Sequence, residues 1–164
     1  MSDKNKSPLE KVEHLTFASP LFDNEEYAKT ARLARLEDIR LIECNYSVKP
    51  KCFMEAEASG KPMRQGFSGE VSGHHFDQDN GLLMGGYSWS AEVRFKRRKA
   101  LTMKAEYVLV YSGLSEAEPD YVRLYFQKLA RFTSYPFFRA HFAVQTSASG
   151  LNLTPLPSLI ERVD

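Results

Sequence analysis

Strict alternation of apolar and polar side chains over two neighbouring segments is the feature that most constrains the fold. From Trp89 to Phe95, and again from Leu101 to Tyr111, every second residue is apolar and those between are mostly polar or charged. Such alternation places one set of side chains on one face of a β-strand. The run Arg97-Arg98-Lys99 between the segments is short and charged. The sequence therefore predicts an antiparallel hairpin with one buried face.

Composition limits the classes of protein to be considered. The chain has 164 residues, 43% of them hydrophobic and 26% charged, with a net charge of +1. This suits one soluble domain with an added arm, and it argues against a nucleic-acid binder or a polybasic membrane anchor. We expect no membrane insertion and no secretion, because no apolar run is long enough and the first residues lack a signal core. Cys44 and Cys52 lack CxxC spacing, so we expect reduced thiols in the cytoplasm.

The first half of the chain gives uneven signals. We predict a mobile polar arm over residues 1–19 and a short helix after Asp23, which forms a capping box with Glu26. A half-buried strand runs from Ile42 to Val48. Residues 51–86 show little periodicity, with a possible strand over 67–76 and a turn over 77–81. The predicted division is residues 1–35 for the arm and helix and residues 36–164 for the main domain.

The C-terminal part is helical and rich in aromatic residues. Residues 115–118 resemble a capping box, Pro119 suits a first helical turn, and apolar residues then recur at spacings of three and four up to Phe132. Pro136 should end this helix, with Ser134 capping a second helix that ends at Gly150. Strands followed by helices predict an α+β fold, with the helices stacked on one face of an antiparallel sheet.

Three clusters could carry chemistry, and a structural role is favoured for each. His74 and His75 with the nearby aspartates could suggest a metal site, but the spacing is not that of a calcium loop and a polar turn is favoured. The basic hairpin turn is best explained by solvation, and an acidic protein surface is as plausible a partner as nucleic acid. Cys44 lies on the apolar face of a strand and has no catalytic signature around it. We expect no enzyme activity, no catalytic residues, no metal and no cofactor.

Two stretches near the C-terminus resemble the SecB and SecB-like export chaperones. Residues 126–139, FQKLARFTSYPFFR, contain an aromatic-Pro-aromatic-x-Arg signature, and residues 150–157, GLNLTPLP, match a Gly-Leu-x-Leu-x-Pro-Leu-Pro ending. The resemblance implies a four-stranded antiparallel sheet with two C-terminal helices, assembled as a dimer of dimers. It also implies ATP-independent holding of unfolded polypeptides. By position, the resemblance implies that the groove or lid residues are Tyr135, Phe137, Phe138, Phe142, Leu151, Leu153 and Leu156.

Some features differ from that family. Its SecA-contacting sheet face is acidic, whereas the predicted hairpin carries Arg94, Lys96 and Lys104 beside Glu92 and Glu106. This difference counts against SecA as a partner and favours a specialised client, such as the antitoxin of a toxin–antitoxin pair. Two alternatives stay open. One is a small-molecule binding or hydrolytic domain of cystatin-like architecture with an enclosed pocket, and the other is a structural adaptor with one fixed protein partner.

Overall fold

The structure, a computed structural model, describes residues 23–159, and the arm predicted over residues 1–19 lies outside them. Helices and strands alternate in the first half of this range, and the second half is a hairpin followed by one long helix. In chain order the elements are α1 Asn24–Leu33, β1 Arg35–Val48, α2 Pro50–Ser59, β2 Arg64–Asp77, β3 Leu82–Phe95, β4 Arg98–Ser112 and α3 Pro119–Ala148. No helix among these residues combines the length and apolar content needed to cross a membrane.

The four strands form one antiparallel sheet in the order β1-β4-β3-β2. The predicted hairpin is β3–β4, and its two-residue loop begins with Lys96 at a positive φ of 55°. The alternating apolar residues of both strands are buried on one face, where α3 packs. The predicted α+β class and the four-stranded antiparallel sheet are confirmed.

The prediction of two C-terminal helices is wrong, because α3 is one helix of 30 residues that continues through Pro136 without a break. A proline inside a helix costs about 3 kcal/mol through the lost donor and its ring clash. Phe138 and Phe142, two and six residues after Pro136, are almost fully buried against the sheet. Each contributes about 1.5–3 kcal/mol by leaving water, which is enough to offset the proline. Pro136 itself faces solvent.

The two ends of α3 differ in how well the sequence predicts them. At its start, Glu118 is the N-cap without a side-chain hydrogen bond, so the predicted capping box is absent, although Pro119 does open the helix. At its end, Gly150 has a φ of 71° and donates to the carbonyl of Ser147, while Leu151 donates to that of Thr146. These two bonds form a Schellman motif, and the predicted glycine ending is confirmed.

A crossover that passes the hairpin turn joins the two edge strands of the sheet. Val48 of β1 pairs with Leu101, and Arg64 of β2 pairs with Arg94, so both strand ends lie at the end of the sheet near the hairpin loop. We call this the hairpin end. Helix α2 fills the crossover and buries Cys52 against Phe95. This helix was not predicted.

Helix α1 confirms the short helix predicted after Asp23, and strand β2 confirms the strand predicted over residues 67–76. The side chain of Asp23 caps α1 by accepting from the backbone N–H of Glu25 at 2.7 Å, rather than by pairing with Glu26. Strand β2 extends the predicted strand by a few residues, and Asp77 closes the turn after it through hydrogen bonds from Asn80.

Candidate functional site

Four of the seven predicted groove or lid residues lie in the core of the described chain. The relative exposures are 3% for Tyr135, 0% for Phe138, 1% for Phe142 and 1% for Leu156. In this arrangement they support the sheet–helix interface and are closed to a ligand. Their predicted role in binding stays a prediction.

An aromatic cluster around Trp89 accounts for this burial. The Trp89 ring stacks on Phe138 with centroids 5.6 Å apart and lies 5.0 Å from both Tyr87 and Tyr135. Phe67 of β2 stacks on Tyr135 at 5.2 Å and also lies 6.2 Å from Trp89. Phe67 is only half-buried, so the cluster reaches the surface at the β2 edge of the sheet.

Leu151 and Leu153, two other predicted residues, are half-exposed and belong to a larger apolar surface. It collects the accessible apolar side chains of α2, the start of β2 and the segment that follows α3. We call this surface the apolar rim, and it consists of Phe53, Met54, Met63, Phe67, Leu151 and Leu153. Met54 is the most accessible at 69%, and the others are partly buried against the core.

The C-terminal segment is fixed in place through its carbonyl groups. Gln65 donates from Nε2 to the carbonyl of Thr154 at 2.9 Å, and Arg139 donates from Nε to that of Leu156 at 2.6 Å. The Tyr135 hydroxyl donates to the carbonyl of Pro157. Proline has no N–H, so this extended segment relies on acceptors, and the anchors hold it beside the start of β2.

The seventh predicted residue, Phe137, is 48% exposed on the solvent side of α3. Val144, two turns further on, is 64% exposed. Strand β1, an edge of the sheet, also exposes Leu36, Leu41 and Ile42 by 43–58%. Exposed apolar groups of this size on an open strand edge and on a helix are typical of surfaces that contact another polypeptide.

An open groove of about 710 Å³ crosses the other face of the sheet near the hairpin end. Its polar lining is made of Asn45, Ser47, Ser68, Ser90, Glu92, Lys99, Thr102 and Lys104. Hydrogen bonds from Arg94 and Lys99 lower the pKa of Glu92, so this carboxylate is ionised and poorly suited to act as a general acid. No histidine lines the groove, which is open rather than the enclosed pocket expected of the cystatin-like alternative.

The two histidines proposed as possible ligands start from opposite faces of the edge strand, although both border an open cavity of about 350 Å³ with Asp120 and Arg123. His74 pairs with Gly85 and its ring lies 6.0 Å from Phe126, whereas His75 pairs with Met84 on the other face of the sheet. Across residues 23–159 no cluster of three or more His, Cys, Asp or Glu could hold a metal ion. Burial raises the pKa of the Cys44 thiol, which lowers its reactivity at neutral pH.

Four rim residues, Phe53, Met54, Met63 and Phe67, were not predicted. Their segment lacks sustained periodicity, but two local signals could have located it. Pro50 and Gly60 frame ten residues in the order typical of a helix start and end, and Gly60 has a φ of 62°. After this helix, Met63, Phe67 and Val71 lie on one face of a strand whose pattern glycine residues interrupt.

Comparison with known proteins shows the fold. No protein-family model matches the chain, and no curated protein matches it. Among solved structures, the SecB-like chaperone Rv1957 of Mycobacterium tuberculosis, in complex with a ChAD peptide from the Rv1956 HigA1 antitoxin, aligns with a TM-score of 0.68. The identity is 18%, and the alignment covers 85% of this chain and 99% of the chaperone. The fold is therefore SecB-like.

A second solved structure, a Streptococcus agalactiae protein of unknown function, aligns with a TM-score of 0.30 at 12% identity. The alignment covers 76% of this chain and 97% of the other. This likeness is too low to support any conclusion.

Proposed function

We propose that the protein is an ATP-independent chaperone that holds non-native polypeptides, with a dedicated client such as an antitoxin. One observation carries the proposal: the SecB-like fold presents an accessible apolar rim beside the aromatic cluster of Trp89. The solved structure of similar fold is a SecB-like chaperone with a bound antitoxin peptide. Among the residues described, the groove and the histidines offer no arrangement suited to catalysis.

Apolar burial gives this surface enough free energy for reversible capture. Burying one exposed Phe, Met or Leu side chain is worth about 1.5–3 kcal/mol, so four such side chains of a client that pack on the rim give a gross gain of about 6–12 kcal/mol. Association and ordering of an extended peptide remove several kcal/mol of this gain. The remainder corresponds to an affinity around or weaker than about 1 µM, which suits holding and release without nucleotide.

We further propose that the chaperone assembles as a dimer of dimers. Strand β1 offers an unpaired edge among the described residues, and the exposed Leu36, Leu41 and Ile42 lie along it. Phe137 and Val144 give α3 a second apolar contact surface. Covering both surfaces would bury five of the seven large exposed apolar residues outside the rim in the described chain, which supports two distinct interfaces.

General export through SecA is not part of the proposal. The sheet face opposite α3 carries Arg64, Arg94, Lys99 and Lys104 together with Glu43, Glu70, Glu92 and Glu106, so its charge is balanced and it lacks the acidic character that such a partnership implies. We place the protein in the cytoplasm, because its two cysteines are free thiols and a reducing compartment keeps them so.

Suppression of aggregation tests the function. The full chain, without ATP, should retard aggregation of a chemically denatured model protein at a stoichiometric ratio. A double variant, Met54→Ser with Leu153→Ser, should lose most of this effect, because it removes two accessible apolar groups from the rim. Met84→Ser is the matched control, since Met84 is 51% exposed on the other face of the sheet.

Two results would count against the proposal. The first is no retardation of aggregation by the wild-type chain at stoichiometric concentration. The second is an equal loss in the rim variant and in Met84→Ser, with both variants folded by circular dichroism. Light scattering on the same samples gives the mass of the assembly, and a monomer at all concentrations would contradict the dimer of dimers.

A further inference from the structure

The net charge of +1 conceals two oppositely charged ends of the sheet. The hairpin end consists of residues 49–64 and 92–99, which include only three acidic residues, Glu55, Glu57 and Glu92. The nine basic residues there are Lys49, Lys51, Lys61, Arg64, Arg94, Lys96, Arg97, Arg98 and Lys99. This end is therefore strongly positive.

The opposite end of the sheet is negative. It brings together residues 23–40, 77–80 and 112–123, because Arg35 pairs with Ser112 and Asp77 pairs with Leu82. These segments contain ten acidic residues against five basic ones. An approaching polypeptide would therefore meet a positive potential at one end of the sheet and a negative potential at the other, although the net charge of the protein is close to zero.

Most of the basic residues at the hairpin end form no ion pair within 4.0 Å in the described part of the chain, although Lys51 and Lys96 act on Glu55 at longer range. Glu92 pairs with Arg94 and Lys99, and Glu55 pairs with Arg98. Six exposed basic residues have no carboxylate within 4.0 Å in the described part of the chain, namely Lys49, Lys51, Lys61, Arg64, Lys96 and Arg97. Their charge is available to a partner.

Some of these cations lie close in the chain to residues of the apolar rim. Lys51 and Met54 share helix α2, and Lys61 and Arg64 flank Met63 in the chain. The bond from Gln65 to Thr154 holds the segment with Leu151 and Leu153 beside the same strand start. An extended polypeptide on the α2 and β2 part of the rim would thus pass near Lys51 and Lys61, and charges within about 8–10 Å of each other are only partly screened in physiological salt.

We propose that the basic hairpin end selects clients in which acidic residues flank an apolar segment. This inference rests on the proposed holding function and defines its class of client. Complementary charge raises the rate of encounter and favours one register of binding. A polypeptide fits better than a nucleic-acid strand, because four of the six rim residues are Met or Leu and one of its two aromatic residues, Phe67, is already stacked on the buried Tyr135.

Binding of three labelled peptides, measured by fluorescence anisotropy, tests the inference. The peptides share one apolar core and carry three Glu, three Ser or three Lys on each side. At about 50 mM salt, the Glu-flanked peptide should bind the wild-type chain at least about tenfold more tightly than the Lys-flanked peptide. At about 500 mM salt this ratio should fall to about threefold or less through screening.

A double variant, Lys61→Glu with Arg97→Glu, should lose or reverse the preference while keeping its affinity for the Ser-flanked peptide. The matched control, Lys29→Glu with Arg32→Glu on α1, changes the same charge at the other end of the sheet and should keep the preference. If circular dichroism shows that the Lys61→Glu, Arg97→Glu variant is unfolded, the milder variant Lys61→Gln with Arg97→Gln takes its place.

The outcomes separate the two proposals. If the Ser-flanked peptide does not bind, the holding function is wrong. If it binds but the Glu-flanked peptide gains nothing over the Lys-flanked one, only the charge selection is overturned. Displacement of the Glu-flanked peptide by a short single-stranded RNA at lower concentration than by unlabelled peptide would also overturn it, in favour of a nucleic-acid partner.

Discussion

Trp89 and Ser134, 45 residues apart in the chain, join the sheet to the middle of α3 by a buried hydrogen bond. The indole Nε1 of Trp89 donates to Oγ of Ser134 at 2.8 Å, and that hydroxyl donates to the carbonyl of Ala130 at 2.7 Å. Ser134 is fully buried and Trp89 is 2% exposed. The serine thus satisfies the one polar group of the largest ring in the core.

Ser134→Ala should destabilise the protein because it leaves the Trp89 N–H buried without an acceptor. An unsatisfied buried donor costs about 1–3 kcal/mol, and the small gain in helix propensity does not offset this. Trp89 is the single tryptophan of the chain, so its fluorescence during denaturation in urea reports the change directly. Ser147→Ala, at an exposed site on the same helix, is the control and should be neutral or slightly stabilising. Equal stability of the two variants would contradict the assigned role.

The role of Ser134 also shows where prediction from sequence fails. A serine two residues before a proline, as Ser134 is before Pro136, suits a helix cap, because its hydroxyl can bond to a nearby backbone group in either a helical or a capping geometry. The choice here depends on Trp89, which the fold brings close from a distant strand. Local pattern alone therefore favoured two helices.

Pro136→Ala should stabilise the protein. The alanine would restore the N–H that a helix donates to the carbonyl four residues earlier and would remove the ring clash, a gain of up to about 3 kcal/mol. Pro136 is exposed, so the change removes little packing. The shift in the midpoint of urea denaturation measures the effect.

Pro155→Ala is the control for that measurement, because Pro155 lies in the extended segment outside any helix. Both variants give the unfolded chain more freedom, which costs about 0.4–1 kcal/mol, and only Pro136→Ala recovers a helical bond. A midpoint for Pro136→Ala at or below that of Pro155→Ala would indicate that the proline is accommodated without cost.

Gly85→Ala should destabilise the protein by at least about 1–3 kcal/mol, the usual cost of overpacking. A Cβ atom at this position would lie 2.2 Å from Cζ of Phe126, whose ring is fully buried between α3 and the sheet. Gly66→Ala is the matched control on strand β2, where a Cβ would meet no atom within 4 Å. Thermal denaturation of both variants measures the effect. Gly66→Ala should be neutral or slightly stabilising, and similar losses of stability in both variants would refute the packing argument.

The glycine residues explain why the hairpin was predictable and the rim was not. In β3 and β4 the period of two is carried by side chains such as Val93 and Leu101, so it is visible locally. In β2 it is interrupted by Gly69, where a Cβ would lie 2.6 Å from the rings of Tyr87 and Trp89. The small residue is required by rings on the neighbouring strand, and that requirement cannot be read from β2 alone.

Tyr107→Phe tests the one buried side-chain polar atom without a hydrogen-bond partner among the residues described, the Tyr107 hydroxyl. Removing it should leave stability unchanged or raise it by about 1 kcal/mol, because an unsatisfied buried hydroxyl is unfavourable. Tyr111→Phe, on the same face of β4, is the control. The Tyr111 hydroxyl donates to Thr133 at 3.1 Å, so its loss should cost about 1 kcal/mol. The reverse order of stability in urea would contradict both assignments.

Tyr107→Phe should also change how the stability of the protein depends on pH above about pH 10. Burial raises the pKa of Tyr107 to about 12, above the value of about 10 for an unfolded tyrosine. The folded state holds this proton more tightly than the unfolded state does. The resulting contribution of Tyr107 to the free energy of unfolding is therefore fully present below pH 10 and is lost as the pH rises through about 12. Wild-type stability should therefore fall with a steeper slope across this range than that of Tyr107→Phe, as measured by urea denaturation at a series of pH values. Parallel slopes would show that Tyr107 ionises as freely in the folded chain as in the unfolded one.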